Sequence, residues 1–133
     1  LRGLNDERLG PRFPDMLHAY DHEGNKKVLA LASKLGIKLH EGVYLGLQGP
    51  NMETPAEYKF AHIIGADVLG MSTVSEVIMA KYLSLPLFVF SIATNRCYPL
   101  DEIGVSSVEE VIKMAQKSGV TLSKLIKEIL LTL

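Results

Sequence analysis

The apolar positions of this chain change period several times, and each change carries its own punctuation. Asp21 to Leu35, DHEGNKKVLALASKL, spaces its apolar residues as a helix does and stops at Gly36, a residue suited to the left-handed turn that ends a helix. Val43 to Leu47, VYLGL, is a short apolar run that predicts a buried strand ending in the Gly49-Pro50 turn. Thr54, Pro55 and Glu57 then supply a complete helix start: a capping hydroxyl, a ring already set at helical φ, and a carboxylate three residues after the cap. That helix is expected to run to about Ile64 and end at Gly65. ADVLGMS predicts a second short strand, and Thr73 with Glu76 has the spacing of another capping box, opening a helix through TVSEVIMAKYLS. LPLFVFSI, from Leu85, is apolar throughout, the pattern of a central strand covered on both faces. After a loop through Pro99, SSVEEVIKMAQKSGVTLSKLIKEILLTL predicts one or two C-terminal helices, with Gly119 as a break.

Strands alternating with helices place the chain in the α/β class, with helices flanking a largely parallel sheet. Ligands of such sheets collect at the carboxyl ends of the strands. Three predicted strand ends deliver polar groups there: Glu53 after VYLGLQGPNM, Met71-Ser72 after DVLG, and Thr94-Asn95 after LFVFSIA. Glu53 is the telling one. It stands just before a helix whose cap is already complete, so the cap has no need of it. A solvated loop carboxylate is the bland reading; the sharper one has the Gly49-Pro50 turn aim Glu53 at a ligand. A carboxylate, a hydroxyl and a carboxamide beside a methionine are the usual furniture of a small-molecule pocket.

Composition narrows the field. The 133 residues are enough for one domain with a real core, and 47% hydrophobic against 22% charged residues is a globular balance. A formal net charge of −1 leaves no electrostatic footprint for nucleic acid or an anionic membrane surface. Cys97 is the single cysteine, which excludes an intrachain disulfide and suggests a reducing, cytoplasmic setting. No signal-peptide pattern opens the sequence, and no apolar run is long enough to span a bilayer. The opening LRGLNDERLGPRFPDM lacks a Met and reads as the middle of a loop, so a fragment is expected.

A carboxylate only accepts hydrogen bonds, whereas an asparagine amide both donates and accepts. A 6-oxopurine offers a donor at N1–H, and guanine adds its 2-amino group; Glu53 could accept from both. Asn95 could address N7, which gains charge as the base leaves a sugar, so a bond strengthening there stabilises the transition state. Ser72, next to a helix start, has the hydroxyl and neighbouring N–H groups suited to an oxyanion such as phosphate. On the residues alone this supports a pocket for a small polar heterocycle and names purine only weakly.

GPNMETPAE, GADVLGMSTVSEV and SIATN, in this order and spacing, closely resemble the trimeric purine nucleoside phosphorylases, and NDERLGPRFPDM…AYD resembles that family's mid-chain loop. The resemblance covers essentially the whole sequence but only the C-terminal half of the family's chain. It implies a three-layer α/β/α fold with a mixed, largely parallel sheet, incomplete here, with residues 1–133 forming the C-terminal portion of a single domain. It implies phosphorolysis of 6-oxopurine nucleosides such as inosine and guanosine to free base and ribose 1-phosphate, in a homotrimer. No metal or organic cofactor is implied; inorganic phosphate is the co-substrate. Glu53 would hold the base, Asn95 would stabilise the departing purine as the catalytic residue, Met71 would lie against the ribose, and Ser72 would bind phosphate. Tyr44 and Met52 would line the nucleoside pocket, and Phe13 would reach into a neighbouring subunit's site. The family's glycine-rich phosphate loop and its Arg- and His-bearing segment belong to the other half.

Two positions depart from the pattern. Met52 replaces a common aromatic, giving softer, less directional packing on the base. Val108 stands where many members have the histidine that holds the ribose 5′-hydroxyl, which resembles the methylthioadenosine phosphorylases. Those relatives usually carry Asp in place of Asn95 and lack this Glu, so Glu53 with Asn95 favours 6-oxopurines. The competing readings are a methylthioadenosine phosphorylase and a non-catalytic nucleoside-binding module. His18 and His22 have the i, i+4 spacing of metal ligands but no third ligand nearby in the sequence. His40 and His62 read as surface or half-buried residues, Cys97 as an inert thiol, and SKLIKEILLTL as a helix packed on the sheet.

Overall fold

A computed structural model describes residues 2–105 and 107–132. The chain's first and last residues, and Ser106 at the head of the expected C-terminal helix, lie outside them. Helix α1 spans His22–Lys34 and is capped by Asp21, whose side chain accepts from the N–H groups of Glu23 and Gly24. Strand β1, Tyr44–Gly46, and strand β2, Val68–Gly70, pair in parallel with Tyr44 opposite Val68 and Gly46 opposite Gly70. Helix α2, Pro55–Ile63, is the crossover between them. The Asp67 carboxylate pins the start of the pair by accepting from Val43 N–H at 2.7 Å. The α/β class and the parallel pairing read from the sequence are therefore borne out.

The expected capping box at α2 is present. Thr54 Oγ1 accepts from Glu57 N–H at 3.3 Å, and Thr54 N–H donates back to the Glu57 carboxylate at 2.7 Å. That Thr54 N–H bond, and then a bond that the Thr54 hydroxyl donates to the same carboxylate at 2.7 Å, hold the Glu57 carboxyl below the usual carboxylate range. The second box does not form. Helix α3, Val74–Tyr82, follows a Thr73 at φ +66 that makes no cap bond, and its Oγ1 is buried without a partner. The spacing of Thr73 and Glu76 is right, but in the left-handed region the hydroxyl cannot face the first turn.

The segment LPLFVFSI corrects the pattern reading. No strand forms over residues 85–92, and the described sheet holds β1 and β2 alone. Apolar continuity reports burial, whereas a strand also needs a neighbour for its backbone groups. The expected double cover is lacking too, since Leu85 is 53% exposed. The segment still serves the core from one side. Phe90 packs on a cluster of Val28 and Ala32 from α1 with Leu125 and Ile129 from α4, Val108–Thr132. A Cβ on Gly24 would stand 2.9 Å from the Phe88 ring, so α1 lies hard against the segment. Helix α4 is continuous through Gly119 rather than broken there, its first turn held by Ser107, whose hydroxyl accepts from Glu110 N–H. Burying Leu125 and Ile129 outweighs the roughly 1 kcal/mol that one interior glycine costs.

The accessible surface is 10233 Å², where a compact monomer of this mass would expose about 7,000 Å². Large apolar side chains account for much of the excess: Phe13 is 87% exposed and Val120, Leu130 and Leu131 each more than 70%. Among the described residues no helix is long and apolar enough to cross a membrane.

Candidate active site

The carboxyl ends of β1 and β2 set the site. After β1 the chain turns at Gly49, whose φ of +62 suits glycine, and a Cβ there would stand 2.2 Å from Met71 Sδ. Met71 therefore lies against the turn that leads to Met52 and Glu53. On the neighbouring strand, a Cβ on Gly70 would meet the Tyr44 hydroxyl at 2.5 Å, and that hydroxyl accepts from Ser72 N–H at 3.1 Å. Two glycines thus let Tyr44, Met71 and Ser72 close up at the strand ends. A depression of about 330 Å³ opens beside them, lined by Gly46, Leu47, Met71, Ser72, Ser75 and Glu76 among others.

Thr73, between Ser72 and Val74 that line this depression, sits in a backbone region that β-branched residues rarely enter. Such strain persists where the surroundings over-determine it, and it gathers at ligand sites. The sequence offered no sign of it.

The second half of the site forms around Asn95. Its Nδ2 donates to Cys97 Sγ at 3.5 Å, and its Oδ1 accepts from Thr94 Oγ1 at 2.8 Å. Glu53 is half-buried in the loop ahead of α2. Tyr58 is buried on α2, 6% exposed. One turn further along α2, the His62 ring stacks on Tyr98 with centroids 3.9 Å apart. This stack fixes the loop carrying Asn95 and Cys97 against α2.

Burial, then the adjacent Cys97 and Glu53, hold the Tyr58 hydroxyl well above the usual phenol range. Burial pushes the Cys97 thiol up as well; the Tyr58 hydroxyl offsets part of the rise and the Glu53 charge adds to it. Cys97 thus stays a thiol at neutral pH and is a poor nucleophile, as its sequence context suggested.

The sequence-predicted residues divide into two groups. Tyr44, Met71 and Ser72 meet at the strand ends, and the loop they abut carries Met52, 54% exposed, and Glu53, half-buried; Asn95 lies in the separate loop before Tyr98. Val108, 70% exposed at the start of α4, and Phe13 make none of the described side-chain hydrogen bonds or ring contacts. Tyr58 was missed, although a tyrosine four residues after the cap of a helix that borders the loop was a usable signal. The rings of His18 and His22 meet edge to face at 6.4 Å, and no cluster of three metal-ligating side chains occurs among the described residues.

Residues 1–131 match the phosphorylase superfamily. The chain belongs to that family. It is 40% identical over 129 residues to the purine nucleoside phosphorylase of Bos taurus, covering 95% of this chain and 45% of that one. It is 49% identical over 98 residues to the enzyme of Mus musculus, covering 72% and 34%. The fold superimposes on a Schistosoma mansoni purine nucleoside phosphorylase in complex with inosine at a TM-score of 0.92 and 32% identity, covering 98% of this chain and 47% of the other. A second isoform from that organism, in complex with cytosine and ribose-1-phosphate, gives 0.93 and 36%, covering 100% and 48%. This chain spans less than half the length of these relatives.

Proposed function

We propose that this chain is the base-binding portion of a purine nucleoside phosphorylase domain. The observation that supports the reading is Tyr44, Met71 and Ser72 gathered at the strand ends, with Glu53 half-buried in the next loop and outside the helix cap beside it. In the reaction, a phosphate oxygen attacks C1′ of the nucleoside, the C1′–N9 bond breaks, and its electron pair leaves with the purine. Glu53 accepts from N1–H and any 2-amino group. Asn95 donates to the N7 edge, where the departing base gathers charge. Met71 lies against the ribose and Ser72 contacts phosphate, with Tyr44 and Met52 lining the pocket. Relatives of 32–40% identity bear purine nucleoside phosphorylase names, and one was solved with inosine, which supports the 6-oxopurine class. The reaction needs phosphate as co-substrate and no organic cofactor.

Adenine lacks the N1–H that Glu53 would accept, so binding of hypoxanthine or guanine should exceed that of adenine by at least tenfold, about 1.4 kcal/mol. Equilibrium binding to the 133-residue chain measures this directly. Equal affinity for adenine and hypoxanthine would remove the base-reading role of Glu53. A methylthioadenosine phosphorylase would show the opposite order, and Val108 alone favours it.

We further propose a homotrimer in which Phe13 enters the neighbouring subunit's site. Its 87% exposure leaves the ring available for that contact. A cyclic assembly places the same patch against each neighbour in turn. Sedimentation of the native polypeptide should give a trimer, with Phe13→Ala raising KM while each protomer stays folded. A fully active monomer would refute the assembly.

A further inference from the structure

We propose that Tyr82, the last residue of α3, is a positioning residue for Phe13: with Asn5 and Gly10 it anchors the loop that offers the Phe13 ring to a second copy of this chain. The proposal rests on the reading of Phe13 as a contributor to the neighbouring subunit's site and adds what holds that ring in place.

Direct contacts build the anchor. Tyr82 is 6% exposed, and its hydroxyl stands 2.9 Å from both Asn5 Oδ1 and the Asp6 carbonyl oxygen, sharing its one hydrogen between them. Asn5 carries the hold across the turn, its Nδ2 donating to the Gly10 carbonyl at 3.3 Å. Gly10 lies so close to the end of α3 that a Cβ there would stand 1.9 Å from the Tyr82 carbonyl oxygen and 3.0 Å from its ring. Space, not φ, demands glycine here. Within the turn, Leu9 N–H donates to the Asp6 carbonyl at 3.0 Å, and Arg8 pairs with the Asp6 carboxylate at 2.6 Å. The loop's second foot rests one residue earlier on the same helix, where Lys81 Nζ donates to the His18 carbonyl at 3.0 Å.

Between the two feet the Phe13 ring is held out, 87% exposed. Pro11 and Pro14 fix φ on either side of it and stiffen the span. A partner that binds a free loop must also order it, and two fixed feet remove much of that cost before contact. The end of α3 therefore sets where the ring stands, although Tyr82 is buried and Phe13 is not. The Tyr82 hydroxyl is the polar tip of an otherwise apolar, buried side chain, so Tyr82→Phe removes the bond and keeps the packing.

Trypsin reads the anchor, because Arg8 and Arg12 lie on either side of Gly10 inside the loop. Tyr82→Phe and Asn5→Ala should each raise cleavage after Arg8 and Arg12 about fivefold, the effect of one net hydrogen bond on a local opening equilibrium. Gly10→Ala should do at least as much. Cleavage after Lys59 in α2 and Lys124 in α4 should stay unchanged, which separates a freed loop from a loosened fold. Tyr82→Phe combined with Asn5→Ala should fall short of the product of the single effects, because the two share a bond. In the native polypeptide, Tyr82→Phe should raise KM for inosine several-fold, and scarcely at all when added to Phe13→Ala, with kcat within twofold throughout. Unchanged cleavage in the loop, or equal acceleration at Lys59 and Lys124, would overturn the proposal. A KM effect of Tyr82→Phe that persists in full beside Phe13→Ala would overturn it too. Faster loop cleavage in Tyr82→Phe, together with a normal KM in Phe13→Ala, would instead overturn the reading of Phe13 and leave the anchor standing.

Discussion

Replacing Glu53 by Gln should weaken guanine binding by about 2–4 kcal/mol, which is roughly 30- to 1,000-fold, because a half-buried charged acceptor is exchanged for a neutral amide. Guanine should lose more than hypoxanthine. The Gln oxygen can still accept from N1–H, but its NH₂ then faces the 2-amino group of guanine, donor against donor. Hypoxanthine lacks that group and avoids the clash. The effect on the protein itself should be small, since the cap of α2 is closed by Thr54 and Glu57 without any help from Glu53. Calorimetric titration of both bases against wild-type and Glu53→Gln chains, with melting curves alongside, measures all three quantities. Near-normal guanine affinity in the variant would return Glu53 to the status of a solvated loop carboxylate.

The parts of the fold legible in the sequence are those fixed locally. Asp21 caps α1, Pro55 and the Thr54–Glu57 box open α2, and glycines close both, so their limits fall within a residue or two of the periodic pattern. Residues 85–92 failed for a non-local reason, because an apolar run does not say whether another strand lies beside it. The box at Thr73 failed for a conformational one: the spacing matches, but φ of +66 is set by the packing of the β2–α3 turn. The site shows the same division. Glu53 and Ser72 follow strands that do form, β1 and β2, whereas Asn95 was reached from the end of a strand over residues 85–92 that does not. The His62–Tyr98 stack was not legible, since residues 36 positions apart (98 − 62) meet only once α2 and the Tyr98 loop have packed. Met52 and Val108 are the positions where the chain departs from the family pattern, and both are exposed.

The 133-residue chain, assayed alone with inosine and phosphate, should show negligible phosphorolysis while retaining base affinity. The strand-end depression is a poor holder of phosphate on its own. A phosphate dianion must regain several hydrogen bonds when it leaves water, and an unpaired buried anion is among the costliest groups to hold. Ser72 is the ligand that the family resemblance assigns there, yet its backbone N–H is already given to the Tyr44 hydroxyl at 3.1 Å. Thr73, beside it, keeps its hydroxyl buried, and the carboxylate of Glu76 lines the same depression and repels an anion. No lysine or arginine is among the residues lining it. The resemblance places the remaining phosphate ligands in the other half of the family's chain, and this chain spans less than half the length of its relatives. Supplying the N-terminal portion of a relative in trans should therefore restore turnover, and phosphate should bind only to the combined protein. The assay requires protein from a host lacking its own phosphorylase. Turnover by the isolated chain at a rate normal for an intact enzyme would show that these residues already hold the phosphate, and that Ser72 and its neighbours rearrange to do so.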